Sequence, residues 1–143
     1  MNDEVDFLKF VDVLSKLTDV ELILLKVHLL VEEMLTDVIS IRAKNKKHIL
    51  DARLSFYSKM KLARAYHDGD VSEWVWKSIE LLNKSRNKLA HNLTADEVTK
   101  GMNEFICLVK SNQPHWPDNM FKFNHPDYFW ASYVICLELK KLR

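Results

Sequence analysis

The stretch over residues 22–41 constrains the fold more than any other. Leu22, Leu24, Leu25, Val27, Leu29, Leu30, Val31, Met34, Leu35, Val38 and Ile41 recur there at helical rather than alternating spacing. Together they cover well over half of a helix's circumference, which predicts a long helix near residues 19–44, buried on several sides and central to a bundle. Thr18-Asp19-Val20-Glu21 reads as a capping box, with the Thr18 hydroxyl and the Glu21 carboxylate each taking an orphan backbone N–H. Ahead of it, Val5, Leu8, Val11 and Leu14, widened by Phe7 and Phe10, stripe a short first helix. The polar run Lys44-Asn45-Lys46-Lys47-His48 marks a turn, and a third helix carrying Leu50, Leu54, Tyr57, Met60 and Leu62 runs to a stop at Asp68-Gly69. A fourth helix starts near Asp70 and carries Trp74, Val75, Ile79 and Leu82 on its core face. Thr94-Ala95-Asp96-Glu97 is a second capping box, opening a fifth helix with Val98, Met102, Phe105, Ile106 and Val109 inward. Residues 111–126 hold all three prolines and form an irregular connection, and a last helix spans about 128–142.

So few turns follow from composition. Two glycines and three prolines in 143 residues compare with roughly 17 at average usage. The fold class is therefore all-α: an up-and-down bundle of about five or six helices in one domain, residues 1–143, with an aromatic-rich C-terminal extension from about residue 112. A net charge of +1 excludes a global field that recruits nucleic acid or an anionic membrane, so either contact needs a local patch. Cys107 and Cys136 both fall in apolar helical patterns and read as reduced core thiols. The acidic start Met1-Asn2-Asp3-Glu4 is unlike a targeting peptide, and no run of 18 apolar residues occurs. A cytoplasmic protein without a membrane contact is the expectation.

Chemistry concentrates in Arg86-Asn87-Lys88-Leu89-Ala90-His91, at the end of the fourth helix. Arginine is a forked, permanently charged donor set that matches phosphate oxygens, and histidine exchanges protons near neutrality. Arg86 lies four residues beyond Leu82 on the apolar stripe, where an unpaired charge is costly, so it should meet a partner, a carboxylate or a bound anion. Asn87 and His91, four apart, share a helix face, whereas Arg86 and His91 stand about 140° apart. Bringing all three together requires the helix to unwind near Ala90 or a second protomer to contribute its own copy across a two-fold axis. The second solution is chemically apt: cleavage of RNA through its 2′-hydroxyl needs a base and an acid at once, and two protomers carry two histidines. Weaker candidates for RNA or partner contact are Lys44, Lys46, Lys47, Lys84, Lys88 and Trp116. Trp74, Trp76, Phe121, Phe123, Tyr128, Phe129 and Trp130 either stack bases or pack the core. His28 reads as a satisfied core histidine with Glu32 one turn on as its partner. His67-Asp68-Gly69-Asp70 reads as a turn. His115 and His125, with Asp118 between, lack zinc-site spacing, and neither a metal nor a cofactor is expected.

The arginine, polar residue, three further residues and histidine resemble the signature of the HEPN superfamily. The helix over residues 50–63, a short break and then the fourth helix are similar to the arrangement in its mannitol operon repressor-like branch; the likeness spans roughly residues 20–110. The resemblance implies a helical bundle, usually dimeric, of which many members are metal-independent endoribonucleases in toxin–antitoxin, abortive-infection or defence systems. It implies that Arg86 holds the scissile phosphate, His91 acts as general acid or base, and Asn87 orients it. The partners implied are a second copy and RNA. The alternative is a catalytically silent scaffold that binds protein, as an operon regulator or as an immunity or antitoxin protein blocking a toxin. In that case Arg86 and His91 serve the end of their helix by bonding its last carbonyls and complementing its dipole.

Overall fold

The computed structural model describes Leu14 and residues 19–91, 94–116 and 125–143. The expected first helix beyond Leu14, Thr18, Asp118, Phe121 and Phe123 lie outside the described residues. Among those described there are six helices and no strand: α1 Val20–Ser40, α2 Lys46–Asp51, α3 Phe56–Tyr66, α4 Glu73–Ala90, α5 Ala95–Ser111 and α6 Pro126–Lys140. The protein is an all-α bundle, as its scarcity of turn-formers requires.

Local chemistry sets the boundaries. Asp19 is the N-cap of α1, its carboxylate accepting from the backbone N–H of Glu21 at 2.8 Å and of Leu22 at 3.2 Å. This corrects the Thr18 box: the helix starts one residue later. It also ends at Ser40 rather than near residue 44, and the basic run that follows is no bare turn. Asn45 accepts from the N–H of Lys47 at 3.1 Å and opens the short α2. The expected third helix is split in two. Arg53 stands at φ 50, a left-handed conformation that ends α2, and the Ser55 hydroxyl accepts from the N–H of Ser58 at 3.1 Å to restart the chain as α3. Gly69 at φ 83 makes the next stop, as read from Asp68-Gly69. Here His67 Nδ1–H donates to Asp70 Oδ2 at 2.9 Å, so the turn holds through residue 70 and α4 begins at Glu73. Thr94 caps α5, accepting from the N–H of Glu97 at 3.3 Å.

Packing places two helices at the centre. α1 touches every other helix, and α6 buries Phe129, Ala131, Ser132, Ile135 and Leu139 around most of its circumference. The buried Ser132 hydroxyl is satisfied by the Tyr128 carbonyl at 2.6 Å. Leu14 packs into the same core. The most extensive contact is between α4 and α5, where a Cβ on Gly101 would run into the Ser85 hydroxyl. One expectation is narrowed and one fails. α1 is central, but its burial covers about one half of its circumference: Leu22, Leu25 and Leu29 form a stripe 41%, 39% and 48% exposed, on the side opposite Leu24, Val27, Val31, Leu35 and Val38. Cys107 is exposed while Cys136 is buried, because Val98, Met102, Phe105 and Val109 take the inward face of α5 and turn position 107 outward.

Candidate functional site

The end of α4 settles how the motif is displayed. The helix is unbroken to Ala90, and His91 is its C-cap at φ −95, ψ 20, its N–H donating to the Lys88 carbonyl at 3.1 Å. The last turn is tightened, not unwound. Within one chain Arg86 and His91 therefore stay about 140° apart around the axis, and the unwinding near Ala90 that would have joined them does not occur.

Their surroundings differ accordingly. Asn87 and His91 are exposed and line one open groove of about 540 Å³ between α3 and α4. Glu80, Asn83, Lys84 and Lys88 complete its α4 side, and Tyr57 and Met60 its α3 side. Spacings of three and four carry all these α4 residues up one flank of the helix. No ion pair joins Glu80 to Lys84 or Lys88 among the described residues, so two ammonium groups, a carboxylate, a side-chain amide and an imidazole face the groove without an ion pair to one another, Glu80 feeling the Arg64 guanidinium beyond it. Arg86 does not line it. It sits half-buried on the core side of α4, with neither hydrogen bond nor ion pair to a described residue.

Arg86's neighbour is a histidine that spacing alone misassigns. His28 Nε2–H donates to Asn83 Oδ1 at 3.1 Å, and its ring stacks on Phe56 with centroids 4.1 Å apart. Glu32, the partner expected one turn away, instead binds Lys59 Nζ at 2.9 Å. Burial holds the His28 imidazole below its ordinary range; the Asn83 hydrogen bond and the Glu32 carboxylate oppose this, and the Arg86 guanidinium adds to it. α1, α3 and α4 are thus tied at one level by a polar layer, His28–Asn83 and Glu32–Lys59, with Arg86 at its edge.

The other candidates scatter. Lys44, Lys46 and Lys47 lie past the C-terminal end of α1, and Lys46 lines a separate groove with Ile41, Leu50 and Arg143. His28 on Phe56 and Glu32 on Lys59 set α1 parallel to α3, and Arg64 on Glu73 sets α3 antiparallel to α4, so with His28 level with Asn83 that end of α1 points away from His91. Lys84 and Lys88 do share the groove with Asn87 and His91. Trp116 belongs to the α5–α6 connection: its Nε1–H donates to Asp127 Oδ1 at 2.8 Å, and Lys110 Nζ lies 5.7 Å from its ring centre. Trp76 is buried, and Trp74 packs half-buried against the core. Among the described residues no group of three or more His, Cys, Asp or Glu is arranged to hold a metal. Motif reading alone missed Glu80, Asn83 and Tyr57. The first two were within its reach, since Asn83 precedes Asn87 by one turn and Glu80 by two. Tyr57 was not, because it arrives from another helix. No protein-family model, no curated protein and no solved structure matches this chain.

Proposed function

We propose that this protein is a HEPN-like, metal-independent endoribonuclease whose active site is completed by a second copy across a two-fold axis, in a toxin–antitoxin or defence setting. The observation that carries this reading is the unbroken end of α4. It displays His91 and Asn87 with Lys84 and Lys88 in an open groove, and leaves Arg86, which has no ion pair to a described residue, about 140° from His91. A single chain cannot close on one phosphate, whereas two apposed helix ends bring two guanidinium and two imidazole groups around it. The exposed Leu22, Leu25 and Leu29 lie on the part of α1 level with the C-terminal half of α4 and offer apolar surface for that pairing.

In the reaction one His91 takes the proton of the 2′-hydroxyl as that oxygen bonds to phosphorus. The P–O5′ bond breaks, and the second His91, protonated, gives its proton to the departing 5′-oxygen. The products are a 2′,3′-cyclic phosphate and a 5′-hydroxyl. Arg86 from each copy holds the non-bridging oxygens as negative charge builds. Lys84 and Lys88 attract the flanking backbone, and Asn87, one turn before His91, orients the imidazole. The carbonyl end of α4 disfavours an anion, and these cations offset it.

Wild-type protein and the Arg86→Ala/His91→Ala double variant, incubated with transfer and messenger RNA in excess chelator, test the reading. Cleavage by the wild type alone, leaving 2′,3′-cyclic ends, supports it; cleavage abolished by chelator, or shared by the double variant, sinks it. A silent, protein-binding scaffold is favoured instead by Arg86 being half-buried on the core side of α4, within electrostatic reach of His28. On that reading the arginine is a packing residue, and neither protein cleaves.

A further inference from the structure

The groove contains two groups that phosphate chemistry does not use. Tyr57, on the second residue of α3, is 55% exposed, and Lys61 Nζ lies 5.6 Å from its ring centre. Glu80 is an exposed carboxylate with no ion pair to a described residue: the Arg64 guanidinium feels its charge but bonds Glu73 instead, which leaves the Glu80 oxygens open to the groove. A carboxylate beside a phosphate-binding residue opposes binding, so its presence in the same groove calls for a donor-rich ligand group.

Register places the two together. Arg64 near the end of α3 bonds Glu73 at the start of α4 at 2.5 Å, so the helices run antiparallel and Tyr57, two turns back along α3, comes alongside the part of α4 that carries Glu80 and Lys84. His91 lies eleven residues further along α4, roughly 16 Å away at helical rise. The groove is therefore graded: the His91 imidazole and the Lys88 ammonium toward one end, an aromatic ring and a carboxylate toward the other, with Lys84 in the stretch between. Asn83 stands between with its Oδ1 held by His28, which leaves its amide hydrogens to donate.

Resting on the ribonuclease reading, we propose that Tyr57 and Glu80 form a nucleobase subsite that takes an unpaired guanine about two to three nucleotides from the scissile phosphate, the spacing set by the roughly 16 Å between Glu80 and His91. Unstacked bases in single strands bind by stacking on aromatic side chains and by hydrogen bonds along their Watson–Crick edge. Guanine presents two adjacent donors there, N1–H and N2–H, which a carboxylate accepts side by side. Adenine and cytosine set a ring-nitrogen acceptor beside their amino donor, and uracil flanks its single N–H with two carbonyl oxygens; each turns a lone pair toward Glu80.

Fluorescence anisotropy with labelled 2′-O-methyl pentanucleotides, which cannot be cleaved, tests this in the presence of chelator. The wild type should bind a pentamer with a central guanine about tenfold or more tighter than those with adenine, cytosine or uracil at that place, and Glu80→Gln should remove most of that preference. Tyr57→Leu should weaken binding of the guanine pentamer about tenfold, and Tyr57→Phe should restore it. A wild type without guanine preference, a Glu80→Gln protein that keeps it, or a folded Tyr57→Leu protein that binds as the wild type does overturns the subsite. If this happens while RNA is still cleaved through His91, the ribonuclease reading stands without it; if no pentamer binds and no RNA is cut, both fall.

Discussion

At the scale of single residues, His28 couples the site's polar layer to pH. Its folded-state pKa lies below the unfolded value of 6.5, chiefly through burial, so the unfolded chain binds the proton first as pH falls. The stability it contributes is complete above 6.5 and is lost as pH drops through the lowered folded value. The midpoint of thermal unfolding should decline below pH 6.5 with a His28 component no steeper than about 1.4 kcal/mol per pH unit, and His28→Gln should flatten the profile there. A variant with the wild-type slope would contradict the assignment. His91 and Arg86 should separate in the same assays. His91 is an exposed cap, so His91→Ala should change stability by no more than about 0.5 kcal/mol while lowering RNA cleavage by about 10²-fold or more. Arg86→Lys keeps the charge but not the fork and should also lose most cleavage, whereas a purely packing role leaves the rate unchanged. Helical period made part of this legible in the sequence: Arg86 on the core stripe, and Asn87 with His91 on one flank. It could not show the His28–Asn83 bond, which joins residues 55 apart in the chain.

Among the elements, α4 and α5 share the most extensive contact, which fixes how the end of α4 is turned. Ser85 immediately precedes Arg86, its hydroxyl donates to the Leu81 carbonyl at 2.9 Å, and Gly101 of α5 lies against it with no room for a Cβ. Gly101→Ala should therefore destabilise the fold by about 1–3 kcal/mol despite the better helix propensity of alanine. Adding Ser85→Ala should recover part of the loss in chemical denaturation; strictly additive effects would refute direct contact. Cap chemistry explains which boundaries could be read. Thr94 and Gly69 carry strong signals and stand where expected. The break at Arg53 was hidden because Ala52-Arg53-Leu54 contains neither glycine nor proline. Its only local sign was Ser55 with Ser58 three residues on, and without that break Tyr57 would not be presented at the start of α3.

On the scale of the whole molecule, an apolar pattern fixes how much surface a helix must cover but not what covers it. α6, read as the last helix of an aromatic extension, is buried around most of its circumference, while α1, read as buried on several sides, leaves Leu22, Leu25 and Leu29 open. In the proposed pairing those leucines meet a second copy. Leu25→Glu should then shift the protein from dimer to monomer in size-exclusion chromatography with light scattering, with its helical circular dichroism retained; a variant that elutes with the wild type would place the interface elsewhere. The central claim, that one active site needs both chains, is tested most directly by co-expressing wild-type and His91→Ala protein in varied ratio and measuring RNA cleavage in chelator per total protein. If both imidazoles serve one phosphate, activity follows the square of the wild-type fraction and an equal mixture retains about one quarter of full activity. If each chain works alone, activity falls in proportion and the equal mixture retains about one half, which would contradict the composite site.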